Sequence, residues 1–96
     1  PAARAGPRVS RIVVAIPALN EQAAIRDVVT GVLAAGLPVI VIDDGSTDET
    51  AAIVRELPVT LLQHVSRQGK GQSLRDALAE ARRQGFDAVI SMDGDG

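Results

Sequence analysis

The sequence predicts an α/β fold, a Rossmann-like parallel sheet with helices on both faces, and three observations carry that expectation. Four short apolar runs, Ile12 to Ile16, Val39 to Ile42, Val59 to Leu62 and Ala88 to Met92, are aliphatic or β-branched and of a length suited to strands buried on both faces. Segments with helical spacing separate them. Each run is followed by a polar or glycine-rich cluster, so all four clusters fall on one edge of the sheet, where open α/β sheets hold their ligands.

Each element has a local reason. Pro1 to Arg11 mixes Pro, Ala, Gly and Arg without periodicity and reads as a mobile leader, with residues 12–96 as the folded unit. Ile25, Val28, Val29, Val32 and Leu33 form the stripe of a first amphipathic helix, which Asn20 is placed to cap and Gly36 and Pro38 to end. Ser46 and Glu49 have the spacing of a capping box for a second helix, with Ile53, Val54 and Leu57 towards the sheet. A third helix is expected over Gln72 to Arg83, with Leu74, Ala77, Leu78 and Ala81 on one face and Gly85 beyond its end.

Composition narrows the function. The core must be aliphatic, since Phe86 is the one aromatic residue, and without cysteine it is not cross-linked. That fits the cytoplasm, with the inner face of a membrane open to a longer protein. A net charge of −2 gives no basic surface for nucleic acid. No apolar run approaches the ~20 residues of a membrane-spanning helix. Nine of the ten basic residues are Arg, so Lys70 stands out.

Asp93 and Asp95 flank Gly94 at the end of the fourth run, where a tight turn brings two carboxylates towards one point. Two such charges ~4 Å apart repel by about 1 kcal/mol in water and about 4 kcal/mol at an effective dielectric of 20. A hard cation, Mg²⁺ or Mn²⁺, relieves that cost and keeps positions for phosphate oxygens, although Asp-Gly is also an ordinary turn. Ser46, Asp48 and Glu49 are explained by capping; Asp43 and Asp44 are not, and a carboxylate at a strand end suits a nucleobase imide or a ribose hydroxyl. Asn20 and Glu21 serve equally as cap or ligand contact. Lys70 between Gly69 and Gly71 suits a phosphate, yet the segment is no Walker loop, because His64 and Gly71 stand where Gly and Ser or Thr are required. No Gly-x-Gly-x-x-Gly follows the first run, which disfavours dinucleotides. His64 is read as a polar residue at a strand end, without a role.

Taken together, Ile16-Pro17-Ala18-Leu19-Asn20-Glu21, Val41-Ile42-Asp43-Asp44-Gly45-Ser46-Thr47-Asp48, Gly69-Lys70-Gly71 and Met92-Asp93-Gly94-Asp95-Gly96 resemble the family-2 glycosyltransferases of GT-A fold. The likeness is greatest to the branch of dolichyl- and polyprenyl-phosphate sugar synthases. It implies the N-terminal, nucleotide-binding half of that fold, in which Pro17, Ala18 and Glu21 line the nucleoside pocket and Asp44 addresses the base with Asp43 beside it. Asn20, Gly45, Lys70 and Asp93 are counted with the nucleotide site. The resemblance implies that Asp93 and Asp95 are the Asp-x-Asp motif holding Mg²⁺ or Mn²⁺ on the diphosphate of a UDP- or GDP-linked sugar. It also implies that the acceptor site and any catalytic acid lie past Gly96, so these residues would hold the donor in part and be inactive alone.

The expected function is therefore metal-dependent transfer of a sugar to a lipid phosphate or small polar acceptor. Rival readings are a phosphotransferase, whose Asp-x-Asp belongs after the first strand, a nucleotidyltransferase, whose Gly-rich Arg-containing loop is replaced here by Pro17 to Glu21, and a non-catalytic fragment. An open sheet edge would also let copies associate.

Overall fold

A computed structural model describes residues 10–95, in the order β1 (Ile12–Ala18), α1 (Ile25–Ala34), β2 (Val39–Asp43), α2 (Thr50–Arg55), β3 (Thr60–Gln63), α3 (Lys70–Arg83) and β4 (Ala88–Ser91). All pairings are parallel and the strand order is β3-β2-β1-β4. This is the α/β, Rossmann-like sheet that the alternation of apolar runs and helical stripes predicts.

Period-two side-chain alternation splits the core in two. Val14, Ile16, Ala18, Val39 and Val41 face one way and pack against Ile25, Val29 and Val32 of α1 and Val54 of α2. Val13, Ala15, Ile40 and Ile42 face the other way, against Ala77 and Ala81 of α3. Only β1 and β2 are buried on both faces; the flanking strands β3 and β4 are largely half-buried or exposed.

The winding reverses once. The chain steps from β1 to β2 to β3 in one direction, then crosses back over β2 and β1 to place β4 beside β1. A right-handed crossover run in the opposite sense must traverse the opposite face, and α3 does lie opposite α1 and α2. The reversal opens a crevice between the carboxyl ends of β1 and β4.

Helix ends agree with the sequence at the C-terminal side and depart from it at the N-terminal side. After α1, Gly36 has φ 85°, its N–H donates to Leu33 O at 2.9 Å, and the Leu37 N–H donates to Val32 O at 3.3 Å. After α3, Gly85 at φ 83° and Phe86 repeat the pattern on Arg82 O and Ala81 O. Both are Schellman closures that need a left-handed residue. The expected N-caps are not made: α1 begins at Ile25, α2 at Thr50, and neither has a side-chain cap. Asn20, Ser46 and Glu49 bond across to the neighbouring loop, as described below. In α3 the buried stripe is Ser73, Ala77 and Ala81, with Leu78 46% exposed. Small residues at i, i+4 and i+8 let the helix axis lie close to the sheet, which leaves Leu78 outside that stripe.

Of the leader expected over Pro1 to Arg11, residues 1–9 lie outside the described residues. Arg11 itself is tied down. Its guanidinium Nη1 donates to Gln84 O at 3.0 Å and Gly85 O at 3.1 Å, stacks 4.6 Å from the Phe86 ring centroid, and its backbone N–H donates to Asp87 Oδ2 at 2.8 Å. A cation over the last carbonyls of α3 also favours the helix dipole. Among the described residues no helix is long and apolar enough to cross a membrane.

Gly36 and Gly45 separate two costs of a glycine replacement. Both have positive φ, but a Cβ at Gly36 meets nothing within 4 Å, whereas one at Gly45 would lie 2.6 Å from Arg67 N and 2.7 Å from Ser66 C. Gly36→Ala should lower the unfolding free energy by about 1–2 kcal/mol, the cost of left-handed backbone. Gly45→Ala should lose at least about 1 kcal/mol more, because it must displace loop backbone. Urea denaturation of both variants measures the difference, and equal losses would refute the close approach.

Candidate functional site

The tips of the strands are fastened one residue beyond the sheet. Asp44 N–H donates to Ala18 O at 2.9 Å, His64 N–H to Asp43 O at 2.9 Å and Met92 N–H to Ala15 O at 3.0 Å. The residues following β1, β2, β3 and β4 therefore leave the sheet side by side.

The first two exits are laced together by side chains that the sequence suggested as caps. Asn20, at φ 54°, donates its N–H to Ser46 Oγ at 2.8 Å, and its Oδ1 accepts the Thr47 N–H at 2.8 Å. Glu21 N–H donates to Thr50 Oγ1 at 2.9 Å, and Gln22 Oε1 accepts the Glu49 N–H at 3.1 Å. Asn20 is thus a loop-to-loop staple, and Ser46 and Glu49 form no capping box. Reciprocal bonds between two loops satisfy backbone donors of both at once, which a cap within one helix does not do. Asp43 is buried and its Oδ1 accepts the Ser46 N–H at 3.1 Å, closing the turn through Gly45.

Asp44 is 5% exposed and fully engaged on one oxygen. Its Oδ1 accepts the Gln68 N–H at 2.8 Å and faces His64 Nδ1 at 2.7 Å, while Oδ2 accepts the Gly69 N–H at 3.0 Å. Burial alone would raise its pKa, but the Gln68 N–H, the His64 ring and the Gly69 N–H together hold it below the usual carboxylate value. His64 Nε2 reaches Asp76 Oδ2 on α3 at 2.6 Å, so its ring, with a side chain 7% exposed, spans two carboxylates. The hydrogen bonds that the ring donates to Asp44 and to Asp76 raise the His64 pKa above 6.5 against the opposing effect of burial. The sequence reading gave His64 no role. Its position at a strand end is correct, since β3 ends at Gln63; its role depends on partners 20 and 12 positions away.

A cleft of about 220 Å³ opens at the winding reversal, lined by Pro17, Ala18 and Glu21 after β1, Asp44 after β2, Arg67 and Lys70 after β3, and Asp93 and Asp95 after β4. Lys70 is the first residue of α3, two residues earlier than the helix expected from sequence, and its Nζ lies 2.7 Å from Asp93 Oδ1. That contact, then the wider charge of Asp93 and Asp95, raises the Lys70 pKa; the pair is largely exposed and so weak. Gly94 is buried, and a Cβ there would lie 3.3 Å from Ala18 Cβ, Glu21 Cγ and Pro17 O. A side chain there would push the β4 exit a few tenths of an ångström away from the β1 exit. Burial first, then Asp95, Asp48 and Asp93, raise the Glu21 pKa. Ser73, also on the cleft wall, is fully buried, and its Oγ has no hydrogen-bond partner among the described residues.

Of the sequence-predicted site residues, Pro17, Ala18, Glu21, Asp44, Lys70, Asp93 and Asp95 line one cleft, whereas Asn20, Asp43 and Gly45 shape its loops from behind. Arg67 and Ser73 belong to the wall and were missed, because nothing in the sequence marks an Arg in a loop or a Ser on an alanine stripe. Among the described residues no group of three or more His, Cys, Asp and Glu surrounds a common point. Asp93 and Asp95 are nonetheless a fitting donor pair for Mg²⁺ or Mn²⁺, which bind through one or two carboxylates and take phosphate and water oxygens for the rest.

Residues 13–96 match the family described as "Glycosyl transferase family 2". Glycosyltransferase AglJ of Haloferax volcanii is 36% identical over 94 residues, 94% of this chain and 29% of that protein. Glucosyl-3-phosphoglycerate synthase of Mycobacterium tuberculosis in complex with UDP superposes with a TM-score of 0.78 at 30% identity, over 91% of this chain and 34% of that one. The same synthase with Mn²⁺, UDP-glucose and phosphoglyceric acid gives a TM-score of 0.76 at 29% identity, over 88% of this chain and 33% of that one. The chain thus spans about a third of the length of these proteins.

The His64 bridge makes stability depend on pH. A group that binds its proton more tightly in the folded state contributes fully below its unfolded value, here 6.5, and loses that contribution as pH rises through the raised folded value. The urea midpoint should therefore fall as pH rises from about 6.5 through the raised folded value, and His64→Gln should remove that fall. Parallel profiles for the two proteins would contradict the bridge.

Proposed function

The chain belongs to glycosyl transferase family 2, and on that premise we propose that its cleft holds the nucleoside diphosphate of a sugar donor, with a divalent metal on Asp93 and Asp95. One observation carries the reading: residues from all four strand exits meet in a single cleft at the reversal of winding, with carboxylates at one end and Lys70 and Arg67 on the wall. The complexes of the mycobacterial synthase with UDP, UDP-glucose and Mn²⁺ or Mg²⁺ support this chemistry and make UDP the first donor to test, ahead of GDP.

Each residue has work suited to its surroundings. Pro17 and Ala18 give an apolar wall to the nucleoside, and Glu21 stands where the β1 and β4 exits touch. Asp44 keeps one oxygen with spare acceptor capacity for a nucleobase N–H. Lys70 and Arg67 offset phosphate charge, assisted by the N-terminus of α3. Bound at Asp93 and Asp95, the metal would act as a Lewis acid on the departing diphosphate. In the transfer, the bond from the anomeric carbon to the diphosphate oxygen breaks and one from that carbon to an acceptor oxygen forms, with the acceptor proton taken by a base outside these residues.

The acceptor is assigned by analogy alone, as a lipid phosphate or a small polar molecule. Phosphoglyceric acid in the mycobacterial complex makes small phosphorylated acids the first acceptors to assay. The wider polypeptide would work in the cytoplasm, where nucleotide sugars are met.

Calorimetric titration of the full-length protein with UDP tests the donor site. Affinity should drop by about tenfold or more on adding excess chelator, and by a similar factor in Asp93→Asn with Asp95→Asn. Equal affinity with and without chelator would defeat the metal-dependent reading.

A further inference from the structure

The ring of His64 is the one imidazole in the chain, and it lies outside every role given so far. It leaves β3 with its N–H on Asp43 O, and its side chain is sealed between the tip of β2 and the second turn of α3. Both ring nitrogens face carboxylate oxygens, Asp44 Oδ1 at 2.7 Å and Asp76 Oδ2 at 2.6 Å. Ionised carboxylates accept and do not donate, so a ring holding both bonds donates from both nitrogens and carries a positive charge.

Three consequences follow for Asp44. Its Oδ1 is saturated by His64 and the Gln68 N–H, so the carboxylate cannot turn without breaking two bonds in a nearly dry environment. Its Oδ2 accepts only the Gly69 N–H and so keeps acceptor capacity, and Asp44 lines the cleft. The set Asp44, His64 and Asp76 carries a net charge of about −1 instead of −2, which lessens repulsion of a diphosphate. Asp76 is fixed in turn, since its Oδ1 accepts from Gln72 Nε2 at 2.8 Å. Arg75 adds a favourable charge beside it.

We infer that His64 is a positioning residue for nucleoside recognition: clamped between Asp44 and Asp76, it holds the Asp44 carboxylate ionised and aims its free acceptor at the base. The inference rests on the nucleotide-sugar reading above and concerns the base end of the cleft. The phosphate end, with Lys70 and Asp93, is held independently by the packing of Ser73, Ala77 and Ala81 on the sheet.

The test compares UDP with inorganic pyrophosphate, each with Mn²⁺, on the full-length protein and on His64→Gln and Asp76→Asn. His64→Gln should weaken UDP by about tenfold or more, the usual scale for a lost bond to a charged group, and leave pyrophosphate within about twofold. Asp76→Asn, at a side chain 37% exposed, should weaken UDP by a smaller factor with pyrophosphate again unchanged. Nitrogen-15 spectra of the wild type at neutral pH should show both ring nitrogens of His64 protonated. Unchanged UDP affinity in both variants, equal loss of both ligands, or a neutral ring in the wild type would each overturn the inference. A wild type that binds pyrophosphate but neither UDP nor GDP would instead overturn the donor reading.

Discussion

One residue past the second strand stands the carboxylate of Asp44, all but sealed from water, and the loop beyond the third strand is what satisfies it. An unpaired charge at that depth would be costly, so the loop after His64 folds back to present the Gln68 and Gly69 N–H groups and the imidazole to Asp44. The loop then runs into α3, whose first residue, Lys70, lies opposite Asp93. Its return also explains why residue 45 is a glycine: the two loops approach so closely that backbone of Ser66 and Arg67 stands where a Cβ would be.

The carboxylates of the site fall into two sorts. Asp43 bonds to the turn on which it sits, at Ser46 N–H, and Asp48 bonds to its own turn at Thr50 N–H and across to the loop after β1 at Gln22 N–H. Both shape the rim. Asp93 and Asp95 are exposed, lie on either side of a glycine packed against β1, and push up the pKa of Glu21. Their charge is balanced only in part by Lys70, as expected of ligands for a hard cation and a phosphate. Asp44 stands between the two sorts, its Oδ1 saturated by the fold and its Oδ2 taken once, by the Gly69 N–H.

The fold was legible because its signals are local and strong: continuous aliphatic runs, a clear stripe in α1, and glycines at both Schellman closures. What escaped was long-range. Asn20, Ser46 and Glu49 carry ordinary capping chemistry, and nothing within a few residues reveals that their partners lie some 27 positions away. Leu78 fits a helical stripe by spacing, but the close approach allowed by Ser73, Ala77 and Ala81 turned the helix past it. The residues of the site were found by their place at strand tips, a topological signal. His64 and Arg67 were missed because a buried ion bridge and a cleft-wall arginine look, in one dimension, like any polar residues in a loop.

The anchoring of Arg11 has a practical side. Its guanidinium sits on the last carbonyls of α3 and on Phe86, at the pole of the sheet where β1 begins, and the cleft lies at the pole where β1 ends. A label or support coupled at Ser10 would therefore sit on the side of the sheet away from the ligand entrance.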